Sequence, residues 1–319
     1  MLGKSDVGRV GVIVECVPTC TLKGLSKGTH RDAHLRNCWE LHKRYGMNII
    51  FSDAQIQYYA DKGDLEYICI SYGSFYAPHR ACNRLMERNP QARLFWLTNE
   101  YNIQPPGYAY SRKKDVECIS NFEAVEGHGY KKWHFLNLNT ILARPINPPM
   151  EKKYGCIYYG TFRVNRTKYF RKYLQEDMVL STNSKNLKKY KHIGCAPKWT
   201  KSLSWEHGRE TLGLFKYSLY IEDDVTHTRF NNLANRFYEA LFCRTVMLFC
   251  RSCKNTVEKS GIILREDMWV DSYEDVKARV NDSDALWQER LEWQMKWNKE
   301  ALEEKEKVLD RIGDILMGR

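Results

Sequence analysis

Short apolar runs punctuate this chain, and the stretches between them carry apolar residues at helical spacing. In the first half, Val10–Val14, Asn48–Phe51, Tyr67–Ser71, Arg93–Thr98, Val116–Ser120 and His134–Leu138 read as strands. Runs apolar at nearly every position suit strands covered on both faces, as in a parallel sheet. Between the first two lies Ala33–Tyr45, where Leu35, Trp39 and His42 recur at three and four and predict a helix. Helical or irregular pieces separate the other strands. This alternation predicts an α/β fold with a doubly wound sheet, its ligands at the carboxyl ends of the strands.

Ala143-Arg-Pro-Ile-Asn-Pro-Pro149 interrupts the pattern, because three prolines in five residues cannot continue a helix or a central strand. The alternation then restarts. Gly155–Tyr159, Met178–Ser181, Tyr217–Ile221 and Thr245–Phe249 read as strands, and Asn165–Leu174 and Leu233–Phe242 as helices. A final helix opens near Asn281-Asp-Ser-Asp284 and puts Trp287, Leu291, Met295, Leu302, Leu309, Ile312 and Leu316 on one stripe, long enough to span two domains. The expected organisation is two Rossmann-like, doubly wound domains, 1–144 and 150–280, joined by a linker at 145–149. A long C-terminal helix, 281–319, packs across both and returns to the first.

Composition narrows the class. A chain of 319 residues, 43% hydrophobic and 28% charged, is long enough for two cores and is not of disordered type. No stretch approaches the roughly 20 apolar residues of a membrane span, and the Met-Leu-Gly-Lys start has no signal-peptide core, so a cytoplasmic location and no membrane partner are expected. Eleven cysteines include one C-x-x-C, Cys250 and Cys253, without a second pair or nearby histidine to complete a zinc site; free core thiols are expected. The net charge of +11 is local. Lys152–Lys216 holds 15 Lys and Arg against 4 Asp and Glu, and the rest of the chain balances at 35 against 35. Such a block attracts a polyanion or a sugar nucleotide diphosphate, or forms a solvated Lys-rich surface.

The segment from Tyr217 to Leu241 carries the clearest chemistry. A buried strand runs into the acidic loop Glu222-Asp-Asp224, and the following helix stacks Leu233, Phe237 and Leu241 on one side and Asn235 and Glu239 on the other. A loop ending on a helix N-terminus offers N–H donors and the positive dipole end to a diphosphate, and a Glu one turn on can accept from ribose hydroxyls. An ordinary core helix with an Asn cap and a solvated Glu fits the same letters. In the first half, His30 and Asp32 on the loop after the first strand and Glu100 past the strand through Trp96 sit where a general base for a hydroxyl acceptor would sit. Glu100 ranks first and Asp32 second; a turn cap and a solvated loop are the plain alternatives.

Two parallel-sheet domains closed by a long terminal helix resemble the GT-B architecture of glycosyltransferases. Tyr158-Tyr-Gly-Thr-Phe-Arg-Val-Asn-Arg-Thr-Lys168, Tyr220-Ile-Glu-Asp223, Asn235-Arg-Phe-Tyr-Glu239 and Trp96-Leu-Thr-Asn-Glu-Tyr-Asn102 are together similar to bacteriophage glycosyltransferases that decorate hydroxymethylated DNA bases. The resemblance implies transfer of a hexose or pentose from a nucleotide sugar, UDP-linked, held between the domains, to a hydroxyl such as that of hydroxymethylcytosine in double-stranded DNA, in the host cytoplasm if the protein is phage-encoded. It implies donor contacts from Gly160, Arg163, Arg166, Lys168, Glu222, Asn235, Arg236 and Glu239. Gly160 lets the backbone approach a phosphate, and the cations after it favour the leaving diphosphate; a basic surface helix is their plain alternative.

The second Glu found eight residues before the ribose Glu in retaining enzymes is replaced here by Asn231, which leaves the stereochemical outcome open. Tyr-Ile-Glu-Asp before a basic-aromatic helix also resembles α-1,3-fucosyltransferases, in which Glu222 would be the functional acid. Glu222-Asp-Asp224 could pass for a metal-binding D-x-D, but two repeated α/β domains fit a metal-independent arrangement better, with no protein metal site and at most Mg²⁺ held on the diphosphate. A non-catalytic nucleic-acid binder would use the basic block with Tyr108, Tyr110, Trp199 and Trp205, but it leaves two α/β units unexplained.

Overall fold

The computed structural model describes residues 11–14, 33–50, 52–71, 79–99, 113–124, 126–203, 210–229 and 232–319. The chain divides into two compact units, Met1–Leu142 with Glu304–Arg319, and Ala143–Glu303.

In the first unit, β1 (Gly11–Val14), α1 (Ala33–Tyr45), β2 (Asn48–Ile50), α2 (Asp53–Lys62), β3 (Tyr67–Ser71), α3 (His79–Arg88), β4 (Arg93–Thr98), β5 (Val116–Ser120) and β6 (Lys132–Phe135) follow in order. All strands pair in parallel, in the order β2-β1-β3-β4-β5-β6. One face of this sheet packs Phe95 and Leu97 with Cys38, Leu41 and Tyr45 of α1 and with Leu309, Ile312 and Leu316 of the terminal helix. The other packs Leu94 and Trp96 with Ile56 of α2 and Leu85 of α3. The buried side of α1 is therefore Cys38, Leu41 and Tyr45, rotated from the expected Trp39 and His42, which stack on each other half-buried at 5.4 Å.

The expected strand His134–Leu138 is displaced. β6 ends at Phe135, and Leu138–Leu142 forms a buried 3₁₀ helix. Its first turn is closed by Thr140, whose N–H and Oγ1 both donate to the Asn137 carbonyl (3.1 and 2.6 Å). Local side-chain bonding of this kind outcompetes an apolar alternation.

In the second unit, β7 (Tyr154–Tyr159), α4 (Thr167–Tyr173), β8 (Val179–Ser181), α5 (Ser184–His192), β9 (Lys198–Thr200), α6 (Glu210–Gly213) and β10 (Phe215–Tyr220) come first. Then come α7 (Asp224–Arg229), α8 (Asn235–Phe242), β11 (Val246–Cys250), α9 (Lys254–Lys259), β12 (Trp269–Val270), α10 (Tyr273–Asn281) and α11 (Asp284–Met317). Its parallel sheet runs β12-β11-β10-β7-β8-β9. Strand order therefore reverses between β7 and β10, which pair directly, and a reversal of this kind opens the crevice in which such sheets take ligands.

α11 has 34 residues, about 51 Å at 1.5 Å per residue, and belongs to the second unit up to Glu303 and to the first beyond it. It opens at Asp284, behind Ser283, whose Oγ accepts from the Leu286 N–H (3.3 Å); Asn281 instead ends α10. Its buried side includes polar residues absent from the expected apolar stripe. Gln294 accepts from the Met247 N–H (2.7 Å) and donates to the Thr245 carbonyl (2.8 Å), and Arg290 binds Asp267 (2.9 Å) and the Tyr217 hydroxyl (2.9 Å). The nine described cysteines are buried thiols. No helix among the described residues is long and apolar enough to cross a membrane.

Candidate functional site

β7 ends in Tyr158 and Tyr159 and turns at Gly160, whose φ of +153° is almost closed to residues with a Cβ. The turn is pinned to β8: the Gly160 N–H donates to the Ser181 carbonyl (3.3 Å), and Thr182 Oγ1 donates to the Gly160 carbonyl (3.0 Å). Arg163 follows, exposed to solvent, and a single 3₁₀ turn over Val164–Arg166 leads into α4. The expected helix from Asn165 thus starts as 3₁₀ and becomes α at Thr167.

The neighbouring strand β10 ends at Tyr220 and delivers the acidic loop to the same end of the sheet. Glu222 lies between two arginines. Its Oε2 meets Arg166 and its Oε1 lies 3.3 Å from Arg236, with side-chain exposures of 3%, 14% and 13% for the three groups. Arg236 also lies over the rings of Tyr158 (5.3 Å) and Tyr220 (5.7 Å). Burial alone would pull the pKa of both guanidiniums down, but the Glu222 carboxylate together with Tyr158 and the other neighbouring groups outweighs it and holds both above their usual range.

Asp223 caps α7 by accepting from the Thr226 N–H (3.1 Å) and lies 3.3 Å from Arg166. Burial raises its carboxyl, but the Thr226 N–H and Arg166 bring it below the ordinary range. Asp224 pairs with Lys168 (2.7 Å) and accepts from the Tyr169 hydroxyl (2.7 Å). The expected acidic loop is therefore in its second half a short helix, because Asp223 supplies the cap such a helix needs. The loop's three carboxylates each engage a cation. Among the described residues no group of three or more His, Cys, Asp or Glu could hold a metal ion.

α8 begins at Asn235 rather than Leu233. Its N-cap is Ala234, without a side-chain cap, and the Ala234 N–H donates to the Tyr220 hydroxyl (2.8 Å). Leu233, Phe237 and Leu241 are buried as their spacing requires, and so is Glu239, expected on the polar side. Tyr159, next to Gly160, donates to the Arg236 carbonyl (3.3 Å), which ties this helix start to the β7 turn. Gly160, Arg166, Glu222 and Arg236 thus converge at the switch point of the sheet, with Asn235 half-buried at the helix start, Glu239 one turn along and Lys168 at the surface. His30, Asp32 and Glu100, with Asn231, Tyr108, Tyr110 and Trp205, lie outside the described residues. The contacts of Tyr158 and Tyr220 with Arg236 were not read from the sequence; an aromatic residue at the end of each strand was the available signal.

No protein-family model matches the chain, and no curated protein does. Solved structures do. T4 phage BGT with its UDP-glucose substrate superposes with a TM-score of 0.70 at 16% identity, over 96% of this chain and 98% of that one. The same enzyme with UDP and Mn²⁺ gives 0.68 at 15%, over 96% and 99%. An α-glucosyltransferase with UDP and a 13-mer DNA containing an HMU base gives 0.66 at 11%, over 97% and 98%. The chain has the fold of these glucosyltransferases. At such identities the likeness is one of fold, and it extends over both Rossmann-like sheets and the long terminal helix.

Proposed function

We propose that this chain is a glycosyltransferase that moves a sugar from a UDP-linked donor to the hydroxyl of a hydroxymethylated base in double-stranded DNA. The observation that carries the reading is the convergence of the Gly160 turn, the exposed Arg163 and the Glu222-held arginines at the switch point of a sheet whose fold is shared with enzymes solved with UDP-glucose. In this reading the acceptor oxygen attacks the anomeric carbon as its bond to the diphosphate breaks. UDP departs with the bonding electrons, and Arg163, Arg166 and Arg236 offset the charge it gains. Asn235 and the start of α8 face the phosphates, Glu239 accepts from the ribose hydroxyls, and Lys168 contributes at the rim.

The acceptor proton goes to a base in the first unit, Glu100 in first place, then Asp32 or His30. With its carboxylates occupied by cations, the acidic loop does not offer a ligand set for a metal, so Mg²⁺ would ride on the diphosphate oxygens. A DNA acceptor puts the protein in the cytoplasm of a phage-infected host.

The test is to incubate the protein with UDP-glucose and other UDP-sugars against unmodified and 5-hydroxymethylated duplexes and to read digested nucleosides by mass spectrometry. A hexosyl or pentosyl mass on the modified base is expected. UDP at one hundred times its Kd should add about 2.7 kcal/mol of stability, most of it lost in Arg163→Ala and Glu239→Ala. Equal UDP-induced melting shifts in wild type and both variants would refute the donor site.

A further inference from the structure

Six exposed lysines lie close together in the sequence of the second unit. Lys185, Lys188, Lys189 and Lys191 project from α5, and Lys198 and Lys201 from β9 and the residue after it; all are exposed. None is in an ion pair among the described residues, although elsewhere on the surface lysines find carboxylates, as Lys254 does Glu258 (3.7 Å), Lys299 Glu303 (3.9 Å) and Lys307 Glu304 (3.9 Å). The reason lies in the sequence, which holds no acidic residue between Asp177 and Glu206. In a chain with 39 Asp and Glu, that gap leaves the like charges on α5 unopposed.

The fold keeps these charges together. Asn186 and Tyr190 bury one side of α5, which turns Lys185, Lys188 and Lys189, spaced at three and four, onto the other. Among the described residues β9 is the last strand of the sheet. On it Trp199 is 44% exposed, its indole N–H anchored to the Thr182 carbonyl (2.9 Å), so a flat apolar plate is fixed on the strand, with Lys198 leaving the opposite face. An anchored, exposed tryptophan near unpaired lysines makes a poor solvated surface and a good seat for a chain of sugars and phosphates.

We infer that the α5 and β9 face of the second unit binds the sugar–phosphate backbone of duplex DNA. α5 is about 13 Å long, so its row of lysines reaches more than one phosphate along a strand of the duplex. Trp199 packs on deoxyribose beside them. The inference rests on the reading of DNA as acceptor and gives the second unit a share in holding it.

The experiment measures binding of a labelled 21-base-pair duplex by fluorescence anisotropy from 50 to 200 mM salt, without UDP-sugar, for wild type, Lys188→Gln/Lys189→Gln and Lys299→Gln/Lys307→Gln. Each lost phosphate contact lowers the slope of log affinity on log salt by about 0.9, so the α5 double variant should be less steep by about 1.8. Across this fourfold range wild-type affinity then falls about 12-fold further than the variant's, while the α11 variant tracks wild type. An unchanged slope in the α5 variant, or equal flattening in the α11 variant, overturns the inference. So does loss of binding to phosphatidylserine vesicles with DNA binding intact, which would make the face a membrane contact. UDP-induced melting shifts and sugar transfer are recorded in parallel. Flattening in a protein that transfers no sugar upholds the surface and fails the proposed reaction; transfer with an unflattened slope does the reverse.

Discussion

Glu222→Gln removes one charge from the centre of the switch point and keeps its shape. In the wild type the carboxylate sits at 3% exposure against two guanidiniums at 14% and 13%, so each arginine is compensated where solvent reaches little of it. Taking away one partner of a buried pair leaves the others uncompensated and typically costs about 3–5 kcal/mol. For a unit of this size each kcal/mol moves the melting point by about 2–4 °C, so calorimetry at pH 7 should show a fall of about 6–20 °C. Saturating UDP adds a second arm. If Arg166 and Arg236 face the diphosphate, its charge replaces the lost carboxylate, and the gap between variant and wild type should narrow. A fall below 2 °C would show that Glu222 does not hold the arginines. A gap unaltered by UDP, in a protein that UDP stabilises, would show that the arginines do not meet the diphosphate.

Gly313 of α11 lies under Tyr45, where a Cβ would come within 2.7 Å of Cζ, so Gly313→Ala should displace the ring, break its hydrogen bond to the Leu309 carbonyl and cost about 1–3 kcal/mol in denaturant unfolding; a neutral result would mean that the helix shifts freely. Lys152 donates to the carbonyls of Gly213 and Arg244 (both 2.7 Å), and burial lowers its pKa from 10.5 to about 8. Above pH 8 the folded protein has shed a proton that the unfolded chain keeps, so stability relative to Lys152→Met should rise between about pH 8 and 10.5, and a flat difference would refute the shift. Glu100→Gln should lower kcat by about 10²–10⁴ with donor affinity retained; near-normal turnover beside collapse in Asp32→Asn would move the base to the loop after β1.

The strands were legible where both faces are covered. Tyr67–Ser71, Arg93–Thr98 and Val116–Ser120 match their apolar runs residue for residue, because a central parallel strand must be apolar on both sides. β9 was missed for the complementary reason: Lys-Trp-Thr in the last described strand of the sheet is largely exposed and has no apolar run to betray it. Arg290 and Gln294 escaped the reading of α11 because polar residues pass for a solvated face, and their burial depends on partners such as Thr245 and Asp267 far away in sequence.

The candidate site divides along the same line. A strand ending on Gly before a basic stretch is a local signal, and so is a strand ending on Glu-Asp-Asp. That the two meet is not local: Arg166 and Asp223 are 57 residues apart, Lys168 and Asp224 56, and only the adjacency of β7 and β10 brings them together. The adjacency changes the chemistry expected of the cations. Read along the chain, Arg163, Arg166 and Lys168 are three free charges awaiting a diphosphate. In the fold, Arg166 and Lys168 already face carboxylates, so an anion arriving there must share or displace them and gains less than the formal charge implies. Arg163, exposed on the turn after Gly160, does not stand against the acidic loop in this way. It follows that Arg163 should make the first and most salt-sensitive contact with a diphosphate, with the Glu222-held arginines acting as a rigid floor whose charge is felt once the anion has excluded water.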